Sequence, residues 1–108
     1  MQYFVYVCEM IGYGVVDSHP TKIGVSRHPP TRIKAFLNRY GGYHPSLVAT
    51  FPFENRLTAY HCETAIKKMF ARHAVDGTEF FDINYKKIID AISCVCSAYQ
   101  DGEAVAHG

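Results

Sequence analysis

Apolar and polar positions along this chain alternate between two periods, separated by glycine, proline and polar breaks. Gln2–Cys8 (QYFVYVC) is aromatic and β-branched throughout, the composition of a strand buried on both faces. Glu9–Pro20 carries Gly12, Gly14, Asp17, Ser18 and Pro20 and reads as a long hairpin connection that extends each strand. Thr21–Val25 is the returning strand. The period then changes. Ile33, Phe36, Leu37 and Tyr40 recur at i, i+3, i+4 and i+7, which predicts a helix from about Pro29 to Tyr40. Pro30 suits its first turn, and Gly41-Gly42 ends it. Ser46–Phe53 reads as a third strand, with Pro52 placing it on an edge or marking its end. Asn55 or Thr58 caps a second helix running to about His73, with Ala59, Cys62, Ile66, Met69, Phe70 and His73 at helical spacing. Asp76-Gly77 is a turn, and Thr78–Ile83 is a short extended segment. Asn84 caps a last helix that turns Ile88, Ile89, Ile92, Val95 and Tyr99 to the core. The order β-β-α-β-α-(β)-α predicts an α+β domain: a small antiparallel three-stranded sheet flanked by helices. Residues 1–100 form this single domain, and 101–108, polar and rich in small residues, read as a flexible tail.

Composition sharpens the picture in two places. A hydrophobic fraction of 48% excludes a disordered chain. The net charge is only +1, yet Ser18 through Phe53 contains no acid and holds Lys22, Arg27, Arg32, Lys34 and Arg39. A local basic patch under a near-neutral total points to a site, with a nucleic-acid backbone as the obvious partner and any other phosphate or an acidic protein also suited to it. The four cysteines, Cys8, Cys62, Cys94 and Cys96, match no zinc pattern. Cys8 and Cys62 sit in apolar patterns as small core residues, and Cys94 and Cys96 are too close for an ordinary bridge to each other. With no leader-like N-terminus and no membrane-length apolar run, the expectation is an intracellular, cytoplasmic chain with reduced thiols.

The candidate chemistry lies on four side chains. Tyr6 sits mid-strand, and Lys22 opens the strand that pairs with it, so the ammonium is expected to lower the phenol's pKa. Arg32 stands one strand-to-helix step onward, where a cation suits a phosphate. Glu63 falls on or beside the inward stripe of its helix, where an unpaired carboxylate is costly. Its ordinary role is an i,i+4 pair with Lys67, and its sharper role is a hard-cation ligand at the bottom of a cleft.

In order, FVYV at Phe4–Val7, KIGVSRHPPTR at Lys22–Arg32, the helix carrying Glu63, and GTEFF at Gly77–Phe81 resemble the GIY-YIG endonuclease superfamily. They resemble more closely its T5orf172 or Mug113-like branch, over roughly Tyr3 to Ile92. The family tyrosine falls on Tyr6, its arginine on Arg32 and its metal-binding glutamate on Glu63. The second motif, usually Tyr-Ile-Gly, stands here as Lys22-Ile23-Gly24, and the first is FVY rather than GIY. The connection between the two motifs is longer than the superfamily norm. The asparagine that often follows the metal glutamate has no clear match, Asn84 reading better as a helix cap. Glu79 matches a glutamate common in the branch, to be assigned either to the site or, by preference, to bracing the sheet.

The resemblance implies a metal-dependent DNA endonuclease in which Tyr6, activated by Lys22, serves as general base. Arg32 would hold the non-bridging oxygens, and Glu63 would bind one Mg²⁺ or Mn²⁺. Arg27, Lys34 and Arg39 are expected on the DNA phosphates. His28 and His61 are lesser candidates as proton carriers, as are Tyr13, Tyr40 and Tyr43 as stacking platforms. A homodimer or a partner protein would supply specificity, and the compact form suits a phage or mobile-element gene. Two rivals use the same residues. One is a catalytically inactive module that grips nucleic acid or a protein with its basic face. The other is a structural or regulatory domain in which Glu63 only pairs with Lys67.

Overall fold

The computed structural model of the chain describes residues 2–12, 19–35, 43–97 and 105–106. The elements run β1 (Tyr3–Gly12), β2 (Thr21–Ser26), α1 (Pro29–Lys34), β3 (Tyr43–Phe53), α2 (Arg56–Met69), a 3-10 turn (Ala71–His73), β4 (Phe80–Phe81), α3 (Tyr85–Val95) and β5 (Val105–Ala106). They build the expected α+β domain. The sheet is antiparallel in the order β4-β2-β1-β3-β5. The three long strands are those the apolar patterns mark, and a two-residue strand is added at each edge.

β1 lies at the centre, paired with β2 through Tyr6↔Gly24 and Cys8↔Lys22, and with β3 through Tyr6↔Thr50. Between Val7↔Ala49 and Cys8↔Leu47 the register shifts by one residue, a bulge at Val48 that increases the local twist. Successive residues of β1 go to opposite faces. Val5 and Val7 join Ile23, Phe51 and Phe53 under α2 and α3, which contribute Ala59, Cys62, Ile66, Ile88 and Ile92. Tyr6, Cys8 and Met10 go the other way, to Phe80 and to Ile33 of α1. Val5 through Cys8 are all at or below 2% exposure, so β1 is buried on both faces as its composition requires.

The helix caps are side chains chosen for the purpose. Asn55 Oδ1 accepts from the Thr58 amide at 3.0 Å, and Asn84 Oδ1 from the Lys86 amide at 2.8 Å. Each binds an amide that the helix itself leaves without a partner.

Several expectations are revised. The described part of α1 ends at Lys34, and Phe36, Leu37, Arg39, Tyr40 and Gly41-Gly42 lie outside the described residues. Met69 and Val95 are 50% and 43% exposed rather than core, because the buried stripes end at Ile66 and Ile92. Cys62 is buried as expected, but it is bridged to Cys96, with 5.9 Å between the Cα atoms. The expectation of reduced thiols is therefore corrected. The bridge ties the middle of α2 to the residue that ends α3, which spacing along the chain could not reveal. Two residues of the segment read as a tail, Val105 and Ala106, pair with Thr50 and Ala49. Among the described residues, no helix is long and apolar enough to cross a membrane.

Candidate functional site

The face of the sheet turned toward α1 is unusual in what it buries. Tyr6, Lys22 and Thr50 are 2%, 6% and 5% exposed, and the register places all three side by side with Gly24 and Cys8. An interior position ordinarily goes to an apolar side chain, and a buried polar group must be matched to a partner.

Gly24 is what lets the tyrosine lie down. It stands directly across from Tyr6, and a Cβ there would overlap the far end of the ring, at Cζ, Cε2 and the hydroxyl. The end of the ring therefore lies over β2 at Gly24. Any side chain at position 24 would push it off. Arg32, from α1, hydrogen-bonds the phenol through its side chain. The short helix starts with Pro29 and Pro30 at its first positions and packs Ile33 against the cluster that contains Tyr6.

The electrostatics of Tyr6 differ from the sequence expectation. Burial, the largest influence, pushes its pKa above the ordinary 10.0, and the Cys8 thiol and Glu63 carboxylate push the same way. Arg32, by charge and hydrogen bond, is what pulls it down. The Lys22 Nζ lies 5.7 Å from the centre of the Tyr6 ring. The nearby ammonium is as expected, but the predicted lowering by Lys22 is corrected: burial raises the phenol's pKa, and the cation that opposes the rise is Arg32.

Lys22 is itself perturbed. Burial lowers its pKa, while Glu79, Cys8 and Glu63 support its charge and Lys67 opposes it. Glu79 Oε2 stands 3.7 Å from Nζ. Across the strand pair, burial raises the Cys8 thiol to about 12, with Lys22 pulling it down.

Glu63 is largely buried, its side chain 13% exposed, and its Oε2 lies 3.6 Å from Lys67 Nζ. That is the i,i+4 pair of the ordinary reading. Its charge also acts on Tyr6 and on Lys22, so the carboxylate is not remote from the residues around the phenol. Tyr6 thus feels both Arg32 and Glu63. As a metal ligand, Glu63 stands without a ready-made cage. Among the described residues, no group of three or more His, Cys, Asp and Glu is placed to hold a metal. A single carboxylate suits a cation such as Mg²⁺, which keeps several waters and takes substrate phosphates as further ligands.

The remaining candidates fall at different places. Arg27 and Lys34 are exposed, with the Arg27 guanidinium 6.0 Å from the Tyr3 ring. Tyr43 packs edge-on against Phe80 at 5.3 Å, a packing role. His28 is the exposed residue that precedes α1. His61 lines a separate cavity of about 280 Å³ with Thr58, Cys62, Ala65, Val95 and Cys96. Asn84 is a helix cap. Arg39, Tyr13 and Tyr40 lie outside the described residues. Sequence reasoning missed Thr50, which only the β1–β3 register brings opposite Tyr6, and the link between Glu79 and Lys22.

Fold and site together define a small α+β domain whose central strand carries a buried tyrosine, laid over a glycine and held by an arginine from the next helix. The family profile of the T5orf172 domain matches residues 3–96, and the chain belongs to that family. No curated protein and no solved structure matches the chain significantly.

Proposed function

We propose that this chain is a metal-dependent DNA endonuclease of the GIY-YIG type. The observation that carries the reading is the Tyr6 hydroxyl laid over Gly24, hydrogen-bonded by Arg32 and within the field of Glu63. Membership of the T5orf172 family agrees with a nuclease-like or DNA-binding role.

In this reading the chain's own residues divide the work. Tyr6, once deprotonated, takes a proton from the attacking water at its phenolic oxygen. Arg32 stabilises that phenolate and holds the non-bridging phosphate oxygens as charge builds on them. Lys22 keeps a positive charge beside the ring. Glu63 would hold Mg²⁺ or Mn²⁺, which when bound offsets the charge developing on the leaving oxygen. For Glu63 to hold the ion, Lys67 would have to release the carboxylate and could pair with a DNA phosphate instead. Arg27 and Lys34, both exposed, contact the phosphate backbone without reading sequence. A second copy or a partner protein supplies any second cut and any target preference.

A second reading has its own support. The Glu63–Lys67 pair and the raised pKa of Tyr6 are also what a non-catalytic domain would show. In that case the basic residues grip nucleic acid and nothing is cut. Incubating the chain with supercoiled plasmid and Mg²⁺, beside Glu63→Ala, separates the two. Nicking that is lost with Glu63→Ala supports the nuclease. Gel-shift binding with no nicking by the unaltered chain supports the module.

A further inference from the structure

We infer that Glu79 is a positioning residue for the Lys22 ammonium, an inference that rests on the nuclease reading for its catalytic consequence. Lys22 buries a charged end beside the Tyr6 ring, and Glu79 holds that end in place from the rim.

The turn before β4 is built to deliver this carboxylate. Gly77 takes a φ of 75°, a left-handed conformation that costs other residues dearly. The Thr78 amide and hydroxyl both donate to the Val75 carbonyl, at 3.1 Å and 2.8 Å. The Phe80 amide donates to the Thr78 hydroxyl at 3.0 Å, and the Val75 amide to the Phe80 carbonyl at 2.9 Å. The turn is thus closed on both sides of Glu79. Phe80, the next residue, is 4% exposed and stands opposite Lys22 in the β2–β4 pair. β4 therefore fixes the turn against the strand that carries the lysine.

Exposure separates this arrangement from simple bracing. The Glu79 side chain is 59% exposed, whereas that of Lys22 is 7% exposed. The acid reaches inward from the surface to a buried cation, and contributes no apolar area to the core. The other groups facing Lys22 come from two further elements. Cys8 lies across β1, and α2 brings Glu63 and Lys67 with opposite signs. Lys67 repels the ammonium, and Glu79 gives it a counter-charge from β4's turn. A long lysine stem has many rotamers, and an ion pair at its tip selects among them.

The test compares Glu79→Gln, Glu79→Asp, Lys22→Met and the double variant Lys22→Met/Glu79→Gln in the full chain. Single-turnover plasmid nicking with Mg²⁺ is one readout. The Lys22 Cε–Hε signals in a ¹H–¹³C spectrum, at one pH, are the other. Glu79→Gln is expected to slow nicking about tenfold with little change in the DNA concentration needed. Glu79→Asp recovers part of the rate, and Glu79→Gln slows the Lys22→Met variant no further. In the unaltered chain the two Hε protons of Lys22 give separate shifts, and in Glu79→Gln they merge as the stem gains freedom. An unchanged Lys22 signal in Glu79→Gln overturns the inference, as do rate losses that multiply in the double variant. If the unaltered chain cuts nothing, the nuclease reading fails while the Lys22 signal still decides whether Glu79 positions it.

Discussion

The two faces of one sheet are built on opposite principles. Under α2 and α3, β1 and β3 present Val5, Val7, Phe51 and Phe53, and the helices answer with Ala59, Cys62, Ile66, Ile88 and Ile92. The bridge between Cys62 and Cys96 lies within this layer. Toward α1, strands β1, β2 and β3 together present a tyrosine, a lysine, a glycine and a threonine. Burying Lys22 and Tyr6 there costs free energy that an apolar pair would have returned. The difference separates an apolar layer that holds the fold from a face on which polar groups are buried. One face supplies stability, and the other draws on it to keep polar groups dry and aligned.

Substitutions that affect one face and spare the other sharpen this contrast. The largest effect is expected from Phe51→Ala, which empties a fully buried position under the helices and should cost about 3–5 kcal/mol in urea unfolding. Reducing the Cys62–Cys96 bridge, which spans 34 residues, should cost about 3–4 kcal/mol by releasing that loop in the unfolded chain. Its urea midpoint should fall with reductant, and that of Cys96→Ser should not respond to reductant. Nicking by the reduced protein, below its unfolding transition, should be unchanged. A loss of nicking while the chain stays folded would break the division of labour between the faces.

On the other face, Gly24→Ala should cost about 1–3 kcal/mol, since the new Cβ meets the Tyr6 ring. Here nicking should fall far more than stability, because the ring must leave its place. Smaller in free energy is the response to pH. The Tyr6 pKa lies above its ordinary 10.0, so the phenolate is a minor species at neutral pH and grows tenfold with each pH unit. The single-turnover rate should therefore climb about tenfold per unit between about pH 7 and 9. Loss of the Lys22 charge, whose pKa is lowered, bends the curve over at the alkaline end. A flat profile would remove Tyr6 from the role of base.

Much of the scaffold was legible before any coordinates, because it rests on short-range pattern. The three long strands follow from runs such as YFVYVC and SLVATFPF, and the caps at Asn55 and Asn84 from the residue type next to a helical period. The residues around the phenol were legible only as types. Tyr6, Lys22, Arg32 and Glu63 were named from their order, but whether burial or a cation governs Tyr6 depends on depth, which no local pattern encodes. Glu79 meets Lys22 only because β4, which follows α2 along the chain, pairs back with β2. The Cys62–Cys96 bridge depends likewise on how α2 and α3 pack. Met69 kept the helical spacing after the buried stripe had ended at Ile66.

The central claim is that the α1-facing side of the sheet is a catalytic surface organised around one phenolic hydroxyl. The most direct test is the single-turnover nicking rate of Tyr6→Phe, measured with its urea stability. The substitution keeps the ring over Gly24 and removes only the oxygen that Arg32 binds. A rate lower by about 10²–10⁴-fold is expected, with a stability cost of no more than about 3 kcal/mol. A folded Tyr6→Phe chain that nicks DNA at the rate of the unaltered protein would contradict the claim.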